Sequence, residues 1–387
     1  MRKSILVGGI LFLSVTTWAA SAQSLLTRAR KESNPATRIE LLTKALAKDS
    51  HLVNAYHYRA DAYLELGKTD FALKDYARTI ELRPKDPFRY YARGLAYLQD
   101  NKYTLAQSDF SKAISFKRSY ADFYLGRARA YSGMEKYENA LADYQTYQKK
   151  SSRPQDLSRE LIPVYLGAFR YDEAQKSVDN LLSQGDDSAD VHYWQGRLLA
   201  GKNQTDEAIS SYSKAINRAT DYAPAYRSRG DLFKEMGDYE GAADDYTQLL
   251  ALQPDALLYN KRGLMYEAMK DFKRAAQDYT RAIEMAPHWA VPYNNRGFAK
   301  MNLRNWAGAK ADLEKAILLD PSAPTPYVNL AGVYWTWKKD SKKMYEFLSK
   351  AVKHHFKNTA SLYDEKQKGW LFKDINQTSR FQRTYAK

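Results

Sequence analysis

The feature that most constrains this chain is an alanine that returns on a fixed clock. Ala72, Ala106, Ala140, Ala174, Ala208, Ala242, Ala275 and Ala309 are separated by 34 residues at six intervals and by 33 at one. Prolines keep the same time, at Pro84, Pro254, Pro287 and Pro321. A chain with such a period stacks copies of one small unit, and each copy buries its apolar face on its neighbours. Its 387 residues therefore predict one repeat array rather than the two or three globules that length alone suggests.

The unit is clearest at Tyr259–Pro287, YNKRGLMYEAMKDFKRAAQDYTRAIEMAP. Tyr259, Arg262, Gly263 and Tyr266 recur at helical spacing, then Ala275, Tyr279, Ala282 and Ile283 do so again after a tight turn. Pro287 stops the second helix, having no N–H to continue it. Nearly the same string returns at Tyr293–Pro321. Helix pairs with this period resemble the tetratricopeptide repeat (TPR). The resemblance implies an all-α fold, a right-handed α-solenoid of tetratricopeptide helix pairs. About nine full repeats run from Val53 to Lys353, the last (Tyr327–Lys353) with one extra residue in its turn.

The chain divides on this pattern. Residues 1–22 read as a signal peptide: Arg2 and Lys3, the apolar run Ile5–Val15, and the small residues Ala20-Ser21-Ala22 before a mature Gln23. Residues 23–52 read as an N-terminal helical half-repeat, with a turn at Asn34-Pro35 and a stripe of Ile39, Leu42 and Leu46. Repeats one to three cover 53–152, divergent repeats four and five 153–222, and repeats six to nine 223–353. In repeat four Ser158 replaces the leading tyrosine, Ile162 the small residue, and Pro163 falls inside the first helix. The stretch 150–200 reads either as a bend or as drift within one array. Residues 354–387, with Trp370, Leu371 and Phe381, resemble the segment that closes many bacterial TPR arrays, although the proline usual before Arg380 is missing.

Two regularities explain most of the composition. The small residue in each first helix is Ala60, Gly94, Ala128, Gly196, Gly230, Gly263, Gly297 or Ala331. Glycine inside a helix costs about 1 kcal/mol against alanine, so its recurrence implies that the paired helices touch there. Arginine precedes that residue six times, and aspartate follows sixteen residues later each time: Arg59/Asp75, Arg93/Asp109, Arg127/Asp143, Arg229/Asp245, Arg262/Asp278 and Arg296/Asp312. The two middle repeats that lose one lose both, having Leu161/Ser177 and Gln195/Ser211. Joint loss predicts a charge-assisted contact between the two helices of a repeat. Tyrosine totals 31, and 22 of these fall on the repeating ridges.

The inventory argues against catalysis. There is no cysteine, so disulfides and thiolate chemistry have no residue to work on. Six histidines show no metal-ligand spacing, and neither a phosphate-binding glycine loop nor a nucleophile elbow appears. No catalytic, cofactor-binding or metal residue is expected. The formal charge is +15, or +13 once Arg2 and Lys3 leave with the leader. Seven lysines lie in 338–357 against Asp340 and Glu346. A periplasmic or extracellular chain of this kind is not expected to bind nucleic acid. Its basic end would suit an anionic envelope surface.

The resemblance also implies a groove lined by first helices that holds a protein or peptide. Side chains one residue after each leading position, and four and seven further on, should face it. Among these, Tyr91, Tyr193, Arg197, Arg227, Asn260, Asn294, Phe298 and Trp335 are the expected partner-binding residues. The amides would bond a peptide backbone and the aromatic side chains would anchor apolar groups. The pattern leaves the oligomeric state open. It predicts a non-catalytic scaffold, or alternatively an envelope assembly factor attached by its basic C-terminal face.

Overall fold

The computed structural model describes residues 21–354, and every regular element among them is helical. A first unit, extending to Leu181, contains α1 (21–31), α2 (Pro35–Lys48), α3 (Val53–Glu65), α4 (Thr69–Leu82), α5 (Pro87–Gln99), α6 (Tyr103–Phe116), α7 (Ala121–Gly133), α8 (Tyr137–Lys150), α9 (Ser158–Gly167) and most of α10 (Tyr171–Ser183). A second unit from Leu182 contains α11 (Ala189–Gly201), α12 (Thr205–Arg218), α13 (Ala223–Met236), α14 (Tyr239–Leu252), α15 (Ala256–Ala268), α16 (Phe272–Met285), α17 (Ala290–Asn302), α18 (Trp306–Leu319), α19 (Pro324–Val333) and α20 (Ser341–Lys353). The division falls inside the stretch whose repeat pattern is loosest. Short turns make each odd-numbered helix antiparallel to the even one after it.

Proline marks the ends of four second helices, while α6 and α12 end on a similarly extended residue, Lys117 or Ala219, without one. α4, α14, α16 and α18 each stop two residues before Pro84, Pro254, Pro287 or Pro321. The residue between is forced out of the helical region by the proline ring. Arg83, Gln253, Ala286 and Asp320 accordingly have φ of -138, -144, -135 and -136°. The turn inside each pair needs one left-handed residue. Glycine supplies it at Gly67 (φ 68°) and Gly237 (φ 83°), but Asn101, Glu135, Phe169, Asn203, Lys270, Arg304 and Lys339 adopt it in the remaining repeats.

The small residues of the first helices are buried as expected, and one cause serves the glycines among them. A ring or large aliphatic side chain of the second helix lies against that spot. A Cβ added at Gly263 would approach Tyr279 to 2.7 Å, and one at Gly196 would approach Tyr212 to 2.6 Å.

Three details depart from or sharpen the sequence reading. Where a half-unit is expected, residues 21–48 form a pair, and Leu26, Ala29, Leu42 and Leu46 pack with Ala55 of α3. The pair thereby covers the open side of the first full repeat. The extra residue of repeat nine is taken up as a single π-helical turn, Tyr334–Lys338, at the end of α19. In such a turn the backbone bonds reach one residue further than in an α-helix. α9 is only 10 residues long with Pro163 inside it, and Ile162 is fully buried where other repeats carry glycine or alanine.

The expected C-terminal cap and nearly all of the expected leader lie outside the described residues. No helix among the described residues is long and apolar enough to cross a membrane.

Candidate functional site

All six arginine–aspartate pairs form. In each, Nε and Nη2 donate in parallel to the two carboxylate oxygens, as in Arg262–Asp278 at 2.8 and 2.7 Å and Arg59–Asp75 at 2.7 and 2.8 Å. The aspartates are buried and the arginines lie against flanking tyrosine rings. A third bond was not foreseen. Nη1 reaches back to a hydroxyl on the preceding second helix: Arg59 to Thr43, Arg127 to Ser111, Arg229 to Ser213, Arg262 to Thr247 and Arg296 to Thr280. Only Arg93 meets an alanine at that position, Ala77. Five of the six arginines thus tie neighbouring repeats together, and all six are spent on structure.

The face carried by the first helices has its own pattern. Buried tyrosines of second helices send their hydroxyls through to carboxylates on that face. Tyr76 donates to Asp61 at 2.5 Å, Tyr144 to Glu160 at 2.6 Å, Tyr246 to Asp231 at 2.6 Å and Tyr279 to Glu267 at 2.9 Å. Two of the four also meet a cation. Arg129 holds Glu160 at 2.8 and 3.0 Å, and Lys261 holds Asp231 at 2.9 and 3.3 Å. Burial pushes both carboxyls up, but their partners outweigh it and leave them below the usual range. Glu267 has the tyrosine alone, and burial raises it to about 7.

Asp61 differs from the other three because it opens onto a cavity. A space of about 590 Å³ lies between α3 and α5, in the first unit. His57, Asp61, Leu64, Tyr91 and Leu95 line it, with Ala92 and Tyr76 behind. The first five are positions that the groove spacing selects in repeats one and two. Burial, the largest effect on His57, lowers its pKa. It is therefore uncharged at neutral pH, although its Nε2 lies 3.8 Å from Asp61. Arg89 is occupied by Asp86 and Asn54 at 3.1 and 3.2 Å.

The eight expected partner-binding residues fall into different settings. Tyr91 lines the cavity and packs on Phe110 and Phe123. The other seven belong to the second unit. Tyr193 leans on Tyr212 and Tyr222, with ring centroids 5.9 and 5.5 Å away. Arg197 and Arg227 are exposed and form no ion pair among the described residues. Phe298 is half-buried, edge-on to Phe272.

The amides do not stand open as the sequence reading supposed. Asn260 is buried and accepts from Asn295 at 3.0 Å; Asn294 donates to Asn295 at 3.1 Å and accepts from Asn329 at 3.0 Å. This relay joins α15, α17 and α19. Trp335 packs on the core of the last repeats rather than projecting from it. Asn260, Asn294 and Trp335 are thus tied into the packing of the last repeats. The reason is local: Val328 and Met301, at groove positions of α19 and α17, are 0% and 1% exposed because the last repeats close over them. His57 and Asp61, which the sequence reading placed in the groove without singling out, carry the more open site. A signal was available, since Asp61 occupies the repeat position of Asp231 while Ala92 stands where Lys261 does.

Stacked antiparallel helix pairs that expose one helix face define a helical repeat protein. Family profiles described as tetratricopeptide repeat match residues 159–224 and 227–288, and 89–120, and one described as TPR repeat matches 60–101. The chain is a tetratricopeptide repeat protein. No curated protein matches the sequence. Among solved structures it is similar to a tetratricopeptide repeat protein from Parabacteroides merdae ATCC 43184, at 21% identity and a TM-score of 0.50 over 64% of this chain and 98% of that one. It is also similar to the C-terminal part of a TPR repeat-containing protein from Cytophaga hutchinsonii, at 19% identity and a TM-score of 0.42 over 70% and 98%. A third is YrrB, described as a TPR protein with an unusual peptide-binding site, at 20% identity and a TM-score of 0.42 over 49% and 97%.

Proposed function

We propose that this protein is an exported scaffold that binds an extended protein or peptide segment on its first-helix face and performs no catalysis. One observation carries the reading. Five positions that the groove spacing selects, on two adjacent repeats, converge on a single cavity with largely apolar walls, in which Asp86 and Arg89 pair with each other and Asp61 has no such cation. Pockets of a few hundred Å³ with apolar walls and few polar groups are where small groups and side chains are held. Tyr91 supplies the large, stiff apolar surface that anchors such contacts. Tyr193, Arg197 and Arg227 are the corresponding first-helix side chains of the second unit, considered by itself.

The test is a footprint. A peptide selected from a displayed random library against the full chain should slow amide exchange in α3 and α5 when it binds. Protection confined to other elements would overturn the placement. Export has its own check: protein recovered from its host should begin at Gln23, and an intact Met1 on cytoplasmic protein would refute it.

A second reading is favoured by the exposed lysines of the last repeat. Lys339, Lys342 and Lys353 form no ion pair among the described residues; α20 presents the last two with Lys343, and Lys339 lies in the turn before it. Attachment to an anionic surface through this face would weaken steeply with salt, since exposed charges are screened within about 10 Å at 0.1 M. An apolar cavity contact would weaken much less.

A further inference from the structure

The chain contains its own template for what the α3/α5 cavity accepts. In repeats six and seven, Asp231 receives the Tyr246 hydroxyl at 2.6 Å and the Lys261 ammonium at 2.9 Å. That ammonium also lies 5.7 Å from the centre of the Tyr246 ring. Repeats one and two reproduce every part of this arrangement but one. Asp61 stands at the position of Asp231, and Tyr76 at that of Tyr246 with the same hydroxyl contact. Ala92 stands at the position of Lys261, and the cavity opens beside it. Repeats three and four show the same two sites with the charges exchanged, Arg129 against Glu160 beside Tyr144.

In both cases the charge at this place is matched by an opposite charge on the adjoining repeat. Asp61 lacks that partner. His57 is uncharged near neutral pH and Arg89 is committed to Asp86. The Asp61 side chain remains 39% exposed, so its charge can be reached from the cavity. Leu64, Leu95 and Ala92 would cover an aliphatic stem while its charged end met the carboxylate, as lysine and arginine stems cover apolar surface elsewhere. A desolvated, hydrogen-bonded charge pair of this kind selects strongly against a neutral or acidic guest.

We propose that the segment bound on the first-helix face carries a lysine or arginine whose side chain enters the α3/α5 cavity and pairs with Asp61, in place of the lysine this repeat lacks. This rests on the groove reading above and specifies its guest. The guest is a basic residue of a polypeptide, flanked by residues that fit an apolar face.

The test uses the full chain and peptides selected on it from a displayed random library. Selected peptides should share a lysine or arginine. Asp61→Asn, which keeps an acceptor for the Tyr76 hydroxyl, should weaken their binding at least about tenfold. Replacing the peptide lysine by norleucine should do the same, with little further loss when both changes are combined. Ala92→Lys should fill the cavity from within and block binding while leaving the fold intact. Leu95→Arg reports on the groove itself. If binding falls with Leu95→Arg but ignores Asp61→Asn and the peptide lysine, the basic-guest inference is wrong and the groove reading stands. Binding indifferent to Leu95→Arg as well, or failure to select any peptide, counts against both.

Discussion

The Arg262 guanidinium grips Asp278 through two parallel hydrogen bonds, from Nε at 2.8 Å and Nη2 at 2.7 Å, while its Nη1 bonds Thr247 on the preceding repeat at 3.0 Å. The carboxylate is 4% exposed. Removing one partner leaves the other charge buried, at a cost of roughly 3–5 kcal/mol. Arg262→Leu and Asp278→Leu should each lower protection of α15 and α16 against hydrogen exchange by about that much. The double variant should recover a large part of it. Simple addition of the two single losses would show that the residues are uncoupled.

Arg93 offers the reverse experiment. Its bonds to Asp109 are intact at 2.7 and 2.8 Å, but Ala77 stands where other repeats place a serine or threonine. Ala77→Ser should give Arg93 the missing contact and add about 1 kcal/mol, the usual net worth of one hydrogen bond. Thermal unfolding checks the gain, and Arg93→Lys should abolish it.

How legible the chain was depended on what a residue faces. The period, the helix pairs and the arginine–aspartate contacts could all be read, because each is fixed by a neighbour a constant distance away in sequence. Joint loss in repeats four and five points to the pairing. A glycine marks the left-handed turn residue only at Gly67 and Gly237. Elsewhere Glu135, Phe169 and Lys270 accept the strain because the turn, not the residue, dictates the backbone.

The groove divides along the same line. Spacing places His57, Asp61, Leu64, Tyr91 and Leu95 on one face, and they meet in one cavity. The same spacing selects Met301 and Val328, which are sealed in the core. A phase states which way a side chain points and says nothing of what stands before it. The packing of α19, its π turn and α20 decides the matter in the last repeats.

Glu267 predicts a pH dependence of stability. Its carboxyl is raised to about 7, chiefly by burial, with the Tyr279 hydroxyl offsetting this only in part. The folded chain therefore binds this proton more readily than the unfolded chain does. The associated stabilisation is complete below the ordinary carboxyl range and is lost as pH rises from about 4.5 to about 7. Glu267→Gln should be the more stable protein above pH 7, by about 1–3 kcal/mol. The difference between the two melting curves should shrink on acidification through that window. A difference that stays constant with pH would contradict the assignment.

Calorimetric titration reads out capture of a polypeptide by the face around the α3/α5 cavity. A library-selected peptide would be titrated into the unaltered chain, into Leu95→Arg, and into the paired variant Lys342→Glu with Lys343→Glu. Leu95→Arg should weaken binding at least about tenfold, or 1.4 kcal/mol, with an unchanged melting temperature. The lysine variant should bind as the unaltered chain does. Normal binding to Leu95→Arg together with its loss in the lysine variant would contradict the account and place attachment on the basic C-terminal face.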